Sequence, residues 1–192
     1  MWKWSILTVA TMALFGLQSC GDQSGTDTGK EIKFELITDA EKHQRMLVSI
    51  DSMEQLLYAD SLSYDLQLME KLRESYDEFG RRFAGDKAKT PEYLYKSAAM
   101  SRGMGQPMAA IKTYDLILRK FKNFERAPEV QFLIAFTYDE DLKEKALAKD
   151  SYRDVMDKFP GDLWAIQAEQ RLQTIDMTDG ELIEFFMKKQ TK

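Results

Sequence analysis

Three segments of the chain repeat one another at a spacing of 38 residues, and this constrains the fold more than any other feature. Tyr76, Tyr114 and Tyr152 are in register. So are Phe83, Phe121 and Phe159; Phe79, Ile117 and Val155; and Leu72, Ala110 and Ala148. Within each segment these positions step by 4, 3 and 4 residues, which places them on one face of an α-helix. A helical unit that repeats at such a period buries its apolar face only against its neighbours, so it must stack. The repeat therefore predicts an all-α chain of antiparallel helical hairpins, stacked as a solenoid. Twenty leucines against four valines agree with helix rather than strand.

Between the repeated helices lie others with punctuated ends. A helix over 39–59 carries Met46, Ile50, Met53 and Leu57 at helical spacing. Thr90-Pro91 reads as an N-cap followed by a first-turn proline, opening a helix over 91–102. Gly103-Met104-Gly105 is a turn, and Pro107 opens the next helix. Pro128 starts a helix over 128–138, with Asp139-Glu140-Asp141 as its closing turn. Asp162 is an N-cap for a helix running to about Ile175, and Thr178 with Glu181 forms a capping box for the last helix. The count is about eight helices. The run Phe132-Leu133-Ile134-Ala135-Phe136 is apolar all around its helix, so it needs cover on both sides.

Charge and composition narrow the function. A formal charge of −5 argues against a nucleic-acid partner, which calls for a basic face. One cysteine and one histidine exclude an internal disulfide, a cysteine-cluster zinc site and most catalytic triads. There is no phosphate-cradling loop with its lysine and no nucleophile elbow. His43 reads as an ordinary exposed histidine, Met100, Met104 and Met108 as packing residues, and Asp139-Glu140-Asp141 with Glu144 as a solvated turn. The expectation is no catalytic residue, no metal, no cofactor and no small-molecule substrate: a protein that is not an enzyme.

The first nineteen residues read as an address. Lys3 is their only charged residue, and residues 6–17 are uncharged and mostly apolar. That run is too short to span a bilayer and has the length of a signal-peptide core. It ends Leu17-Gln18-Ser19-Cys20, which resembles the lipobox of bacterial lipoproteins. The resemblance implies cleavage after residue 19 and lipidation of Cys20. Residues 21–30 contain nothing apolar, so 20–36 is a lipidated cysteine with a flexible tether. The acyl chains on Cys20 would attach the protein to a membrane. Gly21 stands where the inner-membrane retention signal of enterobacterial lipoproteins has Asp, which favours the outer membrane. The nearby acidic residues resemble surface-export signals of some Bacteroidetes lipoproteins, which keeps either membrane face open.

The region 37–176 resembles tetratricopeptide-type repeats, followed by a terminal helix over 177–192 that reads as a solubilising cap. The resemblance rests on small residues in the first helices, Ala98 and Ala135, and on Ala110 with Tyr114 and Ala148 with Tyr152 in the second. Ile134, Tyr138 and the closing Pro160 also match. The chain departs from the family in its 38-residue period against the usual 34, and in Lys122 where a closing proline would stand. The Tyr and Phe-Pro pattern is similar to the helical-repeat lipoprotein of the outer-membrane β-barrel assembly machine and to the repeat-bearing cell-division coordinator. In such arrays the alanines let helix axes approach, the tyrosines fill the seams, and the first helices line a concave groove. This implies a lipid-anchored envelope protein that binds a protein or peptide through Tyr95, Arg102, Phe132 and Phe136, as a subunit or scaffold of an assembly or secretion complex. The rival reading is a ligand-capturing lipoprotein, for example a glycan-binding one. Such proteins carry long aromatic loops, and this chain has none.

Overall fold

The computed structural model describes residues 37–59 and 65–190. The signal segment 1–19, Cys20 and the tether to residue 36 lie outside the described residues. The described chain is all-α, with no strand among its residues. Its helices are α1 (Asp39–Ala59), α2 (Leu66–Arg82), α3 (Lys89–Gly103), α4 (Pro107–Lys120), α5 (Ala127–Phe136), α6 (Lys145–Lys158), α7 (Leu163–Thr174) and α8 (Asp179–Gln190). A short π-helix, Thr137–Asp141, continues α5.

From α1 to α7 each helix packs on the next, and α5 also touches α7. The 38-residue spacing reappears as three hydrophobic cores in chain order. The first joins Ile50 and Met53 of α1, Leu72, Tyr76 and Phe79 of α2, and Tyr93 of α3. The second joins Leu94 and Ala98 of α3, Ala110, Tyr114 and Ile117 of α4, and Val130 and Ile134 of α5. The third joins Phe132 and Ala135 of α5, Ala148, Tyr152 and Val155 of α6, and Ala165 and Ala168 of α7. Each of α2, α4 and α6 thus sits between two odd-numbered helices and offers its repeated face to both. The apolar circumference of α5 follows, because α5 supplies two cores from opposite sides.

The fourth repeated position has a different task. Phe83, Phe121 and Phe159 are the C-cap residues of α2, α4 and α6, and each backbone N–H bonds the carbonyl four residues earlier. Gly105 (φ 74°) and Gly161 (φ 83°) then take left-handed conformations in the turns that follow α3 and α6. Gly80 of α2 faces the Leu94 side chain of α3: a Cβ there would lie 2.7 Å from Leu94 Cδ2, so that side chain would have to shift.

Several local expectations need correction. Thr90 does not cap α3. Its hydroxyl donates to the Phe83 carbonyl at 2.7 Å, and Asp86 does the capping by accepting from the N–H groups of Ala88 and Lys89. His43 is half-buried instead of exposed. Its Nε2 lies 3.1 Å from Asp86 Oδ2, and its ring packs edge-on against Phe83 and tilted against Phe79. The helix expected over 128–138 ends as an α-helix at Phe136. Asp162 and the Thr178–Glu181 box do cap α7 and α8.

Candidate partner-binding surface

Tyr95 and Arg102 lie two turns apart on α3, and Phe132 and Phe136 one turn apart on α5. Tyr95 is held by a cluster that spans both helices. Its hydroxyl donates to Glu129 Oε1 at 2.7 Å, and the Arg126 guanidinium lies over its ring, 3.6 Å from the centroid. Arg126 in turn donates to Glu129 Oε2 at 2.8 Å and pairs with Glu92 at 3.5 Å. Burial, then the Glu129 hydrogen bond, pushes the Tyr95 phenol up to about 12. Burial acts to raise the Glu129 carboxyl, but Arg126 and Tyr95 outweigh it and hold the group below the ordinary 4.5.

Arg102 pairs with Asp141, and its guanidinium lies 4.7 Å from the Phe136 ring centre. The Arg171 guanidinium, from α7, lies 5.4 Å from the same ring. Tyr95, Ala99, Arg102, Tyr114, Leu133 and Asp141 line a cleft of about 430 Å³. A second cleft of about 690 Å³ lies between α5, α7 and α8, with Phe132 and Phe136 in its wall. Phe132 itself is buried, only 6% exposed, where an open groove residue was expected. It stacks against Phe136 at 6.0 Å and packs on Trp164 and Tyr152, so it forms the floor of the cleft and part of the third core. The alanines and tyrosines assigned to repeat packing, Ala98, Ala110, Tyr114, Ala135, Ala148 and Tyr152, are all buried.

The acidic run after α5 is not the solvated turn that was expected. It is the π-helix, and Asp139 is buried within it. Asp139 Oδ2 accepts from Arg171 Nη2 at 2.5 Å and from the Tyr152 hydroxyl at 3.2 Å, while Arg171 also pairs with Glu140. π-Helical turns insert one residue into an α-helix and often mark functional positions. Here the turn aims Asp139 into the α5–α7 seam and Asp141 out toward Arg102. Glu129 was expected on the same strip as Phe132 and Phe136, and it is the residue that holds Tyr95; sequence reasoning missed Arg126, Asp141 and Arg171. Their signal was weak, because each lies among ordinary surface charges and meets its partner only through the fold.

Acid should weaken this scaffold. At Glu54, burial acts to raise the carboxyl, but hydrogen bonds from Lys96 (2.6 Å) and Tyr76 (2.6 Å) outweigh it and hold the group low. Glu140 is held low by Arg171 and Lys143. Folded-state values below the ordinary 4.5 mean stability that is present above 4.5 and lost as pH falls through them. The urea midpoint is expected to be lower at pH 3 than at pH 7. Glu54→Gln and Glu129→Gln should each shrink that difference; an unchanged difference would remove these groups from the cause.

Among the described residues no group of three His, Cys, Asp or Glu side chains is placed to hold a metal ion. No helix among them is long and apolar enough to cross a membrane. No protein-family model matches the chain, and the search of curated proteins gave no match.

Proposed function

We propose that this chain is a lipid-anchored cell-envelope protein that binds another protein or peptide along its odd-numbered helices. In this reading the helix pairs stack as a tetratricopeptide-like right-handed solenoid, and α3, α5 and α7 line its concave side. Cys20 carries the lipid, the outer membrane is the site of anchorage, and the protein serves as a subunit or scaffold of an assembly or secretion complex. The observation that carries the proposal is the pair of neighbouring clefts on α3, α5 and α7, which together contain all four nominated residues. Tyrosine and arginine anchors in such a setting dominate interface energetics. The three serial cores with equivalent buried positions support the stacking.

A photo-crosslinking amino acid at position 99, between Tyr95 and Arg102, tests the groove in the native envelope. It should trap one partner, and Tyr95→Ala with Arg102→Ala should reduce that adduct to background while helicity by circular dichroism is retained. Lys112→Ala, exposed on α4, should leave it intact. Wild-type adduct yield from the double variant overturns the groove. In the same strain Cys20→Ala should accumulate an uncleaved, unacylated precursor; normal fatty-acid incorporation would overturn the anchor.

A further inference from the structure

Three tyrosines stand at equivalent places in the repeat, and two of their hydroxyls are served from within the chain. Tyr76 donates to Glu54 at 2.6 Å, and Lys96 neutralises that carboxylate. Tyr152 donates to Asp139 at 3.2 Å, and Arg171 neutralises that one. Tyr114 is just as deeply buried, 1% exposed, yet its hydroxyl bonds no described residue. Ser101 stands 38 positions before Asp139 and makes no bond to it. Burial pushes the Tyr114 phenol above its ordinary range, so it keeps a proton to donate. A buried polar group left without a partner costs stability and calls for one.

The place of the hydroxyl shows where its partner must come from. Among the described residues, Arg171 Nε is the one enclosed side-chain polar atom without a partner. The Tyr114 hydroxyl is therefore not sealed in, and the cleft that Tyr114 lines is its opening. The other polar side chains of that cleft are engaged, Tyr95 with Glu129 and Arg102 with Asp141. Its remaining walls are Ala99, Gly103 and Leu133. This combination selects the acceptor. The carboxylates at the other two tyrosines each have a cation of their own, whereas Arg102 is already neutralised by Asp141. An entering carboxylate would be buried without compensation, and a neutral carbonyl oxygen would not. We infer that the cleft is a subsite for an uncharged, apolar stretch of the partner peptide, one main-chain carbonyl of which accepts from the Tyr114 hydroxyl. The inference rests on the groove reading and adds to it the chemistry that the partner presents there.

The probe is N-acetyl-leucine methylamide, and the methyl groups of Ala99 and Leu133 report its entry by NMR in the full chain, extracted in detergent. Both methyls should shift and saturate. Tyr114→Phe should weaken the probe about 3- to 10-fold, the worth of one hydrogen bond, with melting unchanged. Tyr152→Phe, whose bond is internal, should leave the affinity as in the wild type. N-acetyl-leucine, which ends in a carboxylate, should bind at least about 10-fold more weakly than the methylamide. Unshifted methyls, equal affinity in Tyr114→Phe and wild type, or tighter binding of the carboxylate would each overturn the inference. The adduct at position 99 separates it from the groove itself. If Tyr95→Ala with Arg102→Ala abolishes that adduct while Tyr114→Phe leaves it at wild-type yield, the groove stands and the Tyr114 subsite is wrong. If the adduct survives the double variant, the groove reading is wrong, and the subsite falls with it.

Discussion

Tyr114→Ala and Tyr152→Ala are each expected to lower the unfolding free energy by about 3–5 kcal/mol in urea titrations. Both rings are buried to within 1% of their surface, and each is central to one of the serial cores. Their neighbours explain why the cavity would persist. Ala98 and Ala110 sit with Tyr114, and Ala135, Ala148, Ala165 and Ala168 sit with Tyr152. Alanines cannot swing into the vacated space, and helices held at alanine spacing cannot close further without clashing. Phenylalanine separates ring from hydroxyl. Tyr152→Phe loses the bond to Asp139 and should cost about 0.5–1.5 kcal/mol. The Tyr114 hydroxyl makes no hydrogen bond to a described residue, so Tyr114→Phe should fall within about 0.5 kcal/mol of wild type. Alanine variants that unfold at the wild-type urea concentration would show that these rings do not hold the seams.

The same residues show why so much of the helical fold was readable. A position that recurs every 38 residues with helical spacing reports burial directly, because only packing forces an apolar residue back to the same angle on successive helices. Leu72, Ala110 and Ala148, and likewise Phe79, Ile117 and Val155, are completely buried. Glycine and proline marked the breaks for equally local reasons, as Gly105, Pro107 and Gly161 illustrate.

What escaped the sequence was non-local. His43 lies among charged neighbours, and nothing within a helical turn announces Asp86 or the Phe79 and Phe83 rings that enclose it. Phe132 has the spacing of an open strip along α5, yet α6 and α7 cover it through Tyr152 and Trp164. The candidate site was half legible for this reason. Tyr95, Arg102 and Phe136 could be placed from helix geometry alone, while the guanidinium groups that hold them, Arg126 and Arg171, come from the start of α5 and from α7. The run Asp139-Glu140-Asp141 looks like a turn, because an unpaired acidic triplet cannot enter a core. Its entry depends on Arg171, 32 residues from Asp139.

That dependence sets the second large effect. Arg171→Met is expected to lower the unfolding free energy by about 3 kcal/mol, the lower end of the range for breaking a buried ion pair. The Asp139 side chain is only 9% exposed, so water can hardly replace the lost guanidinium; Arg171 itself is 34% exposed, which keeps the cost from being larger. The carboxylate would retain only the Tyr152 hydroxyl at 3.2 Å. Removing the charge as well should relieve this. Asp139→Asn with Arg171→Met is expected to recover about 1–2 kcal/mol relative to Arg171→Met alone, because a neutral amide costs far less to bury than an unpaired carboxylate. Glu140→Gln removes the more exposed partner and should cost under about 1 kcal/mol. The π-helix should report the same event locally: in Arg171→Met the amides of 137–141 should exchange faster than those of α4, since Asp139 is what ties the turn to α7. With the turn loosened, Asp141 should no longer hold Arg102, so damage at the seam should reach the cleft that both residues line. Additive destabilisation in the double variant, with unchanged exchange at 137–141, would mean that the pair contributes nothing to the fold and that the π-helix is held by its backbone alone.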